Sequence, residues 1–74
     1  MKVYVLEHMH DAFDRVLLGV FDTLDGAIEA ASRTHGYADV QDEWLKYNEN
    51  MLNFGGAWGW YISELELNAL AEGE

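Results

Sequence analysis

The sequence predicts a small α+β domain: an antiparallel sheet with one covering helix, in the order β-β-α-β-β-β. Three observations carry that expectation. The apolar or β-branched runs at 3–8 and 16–21 are too short for typical helices, residues 24–31 hold one helical stripe, and asparagine-rich turn chemistry stands at 48–50. A chain of 74 residues is one domain, read here as residues 1–68 followed by a frayed acidic tail, 69–74.

Val3 to His8 alternates weakly and reads as the first strand, with Met9 to Asp14 as the connection. Val16-Leu17-Leu18-Gly19-Val20-Phe21 is almost continuously apolar, which predicts a second strand, well buried and antiparallel to the first. Gly19 inside it predicts a bulge or a close approach. The helix comes next. Asp22 or Thr23 caps it, Asp25 meets the macrodipole, and Leu24, Ala27, Ile28 and Ala31 form its apolar stripe. Gly36 is a left-handed stop.

Residues 37–57 admit two readings. Val40, Trp44, Tyr47 and Met51 recur at helical spacing, which would give β-β-α-α-β. Trp44–Tyr47 and Met51–Phe54 also pair as a hairpin across Asn48-Glu49-Asn50, and asparagine favours turns over helix interiors. The hairpin is the preferred reading. Gly55-Gly56-Ala57 then opens the chain before a last strand, Trp58 to Leu67. Tyr61, Ser63, Leu65 and Leu67 share one face of it, and Glu64 and Glu66 lie on the other.

Composition narrows the function. There are 14 Asp and Glu against 4 Lys and Arg, giving a formal net charge of −10 and a pI near 4.4. Half the residues are hydrophobic, with 3 Trp, 4 Tyr and 3 Phe, so this is a folded domain with a negative surface and not an acidic disordered tail. Four basic residues cannot neutralise many phosphates, so direct nucleic-acid binding is disfavoured; a protein partner with a basic surface is favoured. No cysteine is present, which removes disulfides and thiolate metal sites. So short a chain buries little surface, and a homodimer is the ordinary remedy. No run is long enough for a membrane span or a signal-peptide core, so a cytoplasmic location is expected.

Three blocks carry a family likeness: Lys2-Val3-Tyr4-Val5-Leu6-Glu7-His8, Leu18-Gly19-Val20-Phe21-Asp22-Thr23 leading into Ala27, and Tyr61-Ile62-Ser63-Glu64-Leu65-Glu66-Leu67. Together they resemble short uncharacterised bacterial and phage proteins grouped as domains of unknown function. The resemblance covers about half the chain, mainly at core positions, and residues 37–57 stand outside it. It implies a β-β-α-β type of fold and a phage or mobile-element source, and it implies no activity.

The residues that could carry chemistry are few. His8 and His10, at i and i+2, would project from one strand face and could chelate Zn²⁺ or Ni²⁺, with Asp11, Asp14 or His35 completing the shell. The plainer reading is a polar strand end, and no cofactor is expected. Ser32 and Ser63 lack a His–acid arrangement, and Glu64 with Glu66 reads as a solvated strand face before an acid/base pair, so no enzyme is expected. Phe54-Gly55-Gly56-Ala57-Trp58-Gly59-Trp60-Tyr61 offers aromatic anchors beside open backbone, or simply completes a small core. The expected function is therefore protein binding, as an accessory protein and counter-defence inhibitor. Trp44, Trp58 and Trp60 would be its anchors, and Glu64 and Glu66 its electrostatic contacts. The alternative is a small-ligand or metal module built on His8, His10 and the glycine-aromatic loop.

Overall fold

A computed structural model of the chain describes residues 1–11 and 14–67. The strands are β1 (Lys2–Asp11), β2 (Asp14–Phe21), β3 (Leu45–Asn48), β4 (Met51–Phe54) and β5 (Trp60–Glu66). A single helix, α1 (Leu24–Ser32), follows β2, and short 3₁₀ turns occupy Tyr37–Asp39 and Gly56–Trp58. All strands form one antiparallel sheet ordered β2-β1-β5-β4-β3, which is the α+β order the sequence predicts. The expected tail, 69–74, and Asn68 lie outside the described residues.

Helix α1 begins where its cap chemistry dictates. Thr23 is extended, and its Oγ1 accepts a hydrogen bond from the Gly26 amide at 3.0 Å. Asp25 sits in the first turn, where the helix dipole favours an anion. Ala27 and Ala31 are fully buried, and their small side chains let the helix lie close on the sheet. It meets Leu6, Phe54, Trp60 and Ile62, the buried residues of the same sheet face.

The segment after the helix completes that layer. Tyr37, Val40 and Trp44 pack against the core. The Tyr37 ring stacks on Phe54 at 4.3 Å and meets Trp60 edge-on at 5.2 Å, while Trp44 lies 5.4 Å from Phe54. Residues 45–54 form the hairpin and not the second helix. Asn48 explains the choice: its Oδ1 accepts from the Asn50 amide at 2.9 Å, an Asx turn that reverses the chain.

The strands depart from expectation in places: β1 runs on to Asp11 and β2 starts at Asp14, inside the expected Met9–Asp14 connection. The apolar run Val16–Phe21 is not a well-buried strand. β2 takes the outer position and bonds only to β1, so Leu17 is 60% and Val20 56% exposed. A continuous apolar run reads as buried only where the sheet places it between neighbours. Gly19 does mark a bulge. Leu6 pairs with Gly19 and Glu7 with Leu17, leaving Leu18 as the extra residue. The Phe21 ring also lies over Gly19, where an added Cβ would come within 2.9 Å of Cζ.

The last strand begins at Trp60, later than expected, because Trp58 belongs to the 3₁₀ turn. Gly55 and Gly56 have φ of 85° and 79°, a region costly for other residues. Gly59 is tighter still. Its carbonyl accepts from the Met9 amide at 2.9 Å, and a Cβ there would overlap the Phe54 carbonyl oxygen and stand 2.9 Å from Gly55 Cα.

Two stability predictions follow from this geometry. Gly59→Ala should cost about 2–3 kcal/mol or more, because backbone and not a flexible side chain must yield, whereas Thr23→Ala should cost about 1 kcal/mol. Urea unfolding checks both, and a Gly59→Ala variant as stable as the parent would contradict the packing described.

Candidate functional site: the two faces of the sheet

The pairing register assigns every strand side chain to a face. Tyr4, Leu6 and His8 of β1 stand opposite Glu64, Ile62 and Trp60 of β5, on the face that α1 covers. The alternate positions look the other way, onto a face that no described element covers: Val3, Val5, Glu7 and Met9 from β1, and Tyr61, Ser63 and Leu65 from β5. Leu17 and Val20 extend this open face over β2; Met51 and Leu45 extend it over β4 and β3.

Charge divides between the faces. Over its middle the open face carries Glu7 and Arg15, whose Oε1 and guanidinium nitrogen lie 3.6 Å apart and balance each other, while Asp11 and Asp14 pair at the far end of β1 and β2. Arg15 also stands 5.4 Å over the Tyr61 ring, a cation–π arrangement, and Tyr47 meets Tyr61 edge-on at 5.4 Å. Tyr61 is thereby buried on a face otherwise left open, and its hydroxyl donates to the Ala57 carbonyl at 3.3 Å. The acids lie elsewhere: on the helix layer, on its connections and along the ends of the sheet.

Many of those acids have no counter-charge. Lys2 pairs with Glu64, Arg33 with Glu29 across one helical turn, and the amino terminus with Glu66. Among the described residues no cation lies against Asp22, Asp25, Asp39, Asp42, Glu43 or Glu49. Asp39, Asp42 and Glu43 alternate with Val40 and Trp44, which hold that segment on the core.

The residues singled out in the sequence fall into distinct places. Glu64 and Glu66 share a face, as expected, but both are engaged. Glu64 Oε1 accepts from the Tyr4 hydroxyl at 3.2 Å and lies 3.6 Å from Lys2 Nζ. Glu66 Oε1 accepts from the amino terminus at 2.7 Å, which holds its carboxyl below the ordinary range. Trp60 is 3% exposed, so it is a core residue and its role as a surface anchor is withdrawn. Its indole N–H finds no acceptor among the described residues, an energetic cost the aromatic packing must offset. Trp44 is half-buried, its own indole donating to the Tyr37 hydroxyl at 3.3 Å. Trp58 is 55% exposed and free to meet a partner.

β1 does run through His10, the condition for two imidazoles at i and i+2. The His8 ring, however, lies 4.7 Å from Trp60, and the described residues hold no group of three or more metal-ligating side chains. Burial, and secondarily the neighbouring His10, depress the His8 pKa. A groove of about 180 Å³, lined by Tyr4, Leu24, Lys46, Leu52, Ile62 and Glu64, lies on the helix side. It falls short of the ~300 Å³ at which small-molecule pockets begin.

Sequence reasoning missed the open face. The signal was there in the apolar alternation Tyr61-Ser63-Leu65-Leu67, but reading β2 as buried hid the fact that no described element covers this face. Comparison with family models, with characterised proteins and with solved structures finds no match to this chain. Among the described residues, no helix is long and apolar enough to cross a membrane.

The His8 arrangement predicts a pH dependence. A histidine whose folded pKa is depressed binds protons more weakly in the native state, so stability is lost as pH falls from about 6.5 through the folded pKa. His8→Gln should flatten the melting temperature between pH 7 and pH 5, whereas an unchanged slope would place the titration elsewhere.

Proposed function

We propose that this chain is a non-enzymatic protein-binding module that sets its acidic helix side against a basic surface of a partner protein. The observation that carries this reading is the set of uncompensated carboxylates on the connection from α1 to β3: Asp39, Asp42 and Glu43. Trp44 anchors that segment to the core, so the charges are presented from a fixed base, and no cation among the described residues draws them inward. Trp58, exposed at the end of the sheet, supplies an aromatic contact of the kind interfaces favour.

Glu64 and Glu66 contribute less than the sequence suggests. Each is already engaged with a cation of the chain, and freeing it would break that internal pair. An array of carboxylates on a rigid layer is suited to a groove that ordinarily takes phosphates, and occupying such a groove is how a counter-defence inhibitor of this kind would act. Long-range attraction speeds encounter and is screened by salt, so binding of this type weakens as ionic strength rises.

The test is capture from a bacterial lysate on the immobilised protein at about 50 and 500 mM salt, beside a triple Asp39→Lys, Asp42→Lys, Glu43→Lys variant. The expected result is a basic protein retained at low salt by the parent and lost from the variant. Equal retention by both, or nothing retained by the parent, contradicts the reading.

A further inference from the structure

The open sheet face has the composition of a buried surface, and no described element buries it. In register across the sheet run Val20, Val5, Ser63 and Met51, with Val3 and Leu65 in the next row. Val20 and Leu65 are 56% and 52% exposed. A two-layer domain covers one sheet face with its helix and must find a second layer for the other if that face is apolar.

We propose that a second copy of this chain covers the face, giving a two-fold dimer in which two sheets pack face to face. Charge selects this occupant. A chain of net charge −10 repels its copy on almost any approach, yet over the middle of the open face the acid Glu7 is balanced by Arg15. Asp11 and Asp14 stand at the far end of β1 and β2, away from the Val20-Val5-Ser63-Met51 row. Stacking the sheets about 10 Å apart turns both helix sides outward, which separates their acids by well over a Debye length of roughly 8 Å. A strongly basic partner would gain little over the middle of this face, where the Glu7 carboxylate is already matched by Arg15.

Size agrees. Five strands about 4.8 Å apart and about 20 Å long present on the order of 500 Å² in projection, and corrugation brings the accessible area toward the ~800 Å² per partner of a standard interface. Edge-to-edge pairing is the less favourable geometry. β2 is bulged at Leu18, β3 is four residues long and bulged at Tyr47, and both features blunt a sheet edge.

This proposal concerns the face opposite the acidic side, so it stands apart from the partner-binding reading. The two also respond to salt in opposite senses: dimerisation strengthens as repulsion is screened, and capture of a basic partner weakens.

Sedimentation equilibrium of the full chain at about 150 and 500 mM salt tests it. The expected result is twice the 8.4 kDa chain mass, held more firmly at high salt. Leu65→Glu and Val20→Glu, both at exposed positions, should keep their circular dichroism spectra and weaken association at least tenfold. Val16→Glu lies on β2 but points to the helix side, where Val16 pairs with His8, and should leave association unchanged. A monomer under all conditions overturns the proposal. So does a dimer that Val16→Glu weakens as much as Val20→Glu, because that places the contact on the strand edge.

Discussion

One helix of nine residues against a five-stranded sheet is the constraint on which the rest of this structure depends. A helix is about 10 Å across and a five-stranded sheet is roughly twice as wide, so even one face needs more than α1 to cover it. The chain answers with aromatic mass. Tyr37, Trp44, Phe54 and Trp60 fill the part of the face that the helix does not reach, and the Tyr37–Phe54 stack ties the irregular segment to β4. Gly59 follows from the same demand, because Trp60 reaches the core only if the backbone before it passes against Phe54 and Gly55. With α1 and the largest side chains spent on one face, the described residues leave the other open.

Electrostatics follow from that division. The helix side has solvent around it and can carry unpaired carboxylates at little cost, since each remains hydrated. The open face cannot, if it is to be covered. Over its middle the acid Glu7 is matched by Arg15, and the guanidinium lies over Tyr61 as well. A chain this acidic would otherwise resist any approach to a copy of itself. The same arrangement gives the protein two unlike surfaces, one suited to a basic partner through long-range attraction and one suited to its own copy through apolar contact.

Much of the fold was legible in the sequence, and the reasons are local. Thr23, the alanine stripe and Asn48 each act within a few residues of themselves, so the helix and the hairpin can be read from short windows. β2 was misread because the run Val16–Phe21 carries no sign of whether a strand is central or at the edge; that is fixed by which strands pair, a property of the whole chain. Trp60 and Trp58 stand two residues apart and differ in fate because a glycine-opened 3₁₀ turn, not a continuous strand, separates them. Glu64 and Glu66 were placed on the correct face, but their partners, Lys2, Tyr4 and the amino terminus, lie 60 or more residues away in sequence. The division of charge between faces is legible only once the register is known.

The measurement that bears most directly on this account is an isotope-filtered NOE experiment on an equal mixture of labelled and unlabelled chains. It reports contacts between copies and ignores those within one. Methyl groups of Val5, Val20 and Leu65 should show contacts to the unlabelled copy, because they lie on the face that no described element covers. Contacts confined to Val16 and Leu18, or none between copies at millimolar concentration, would contradict it.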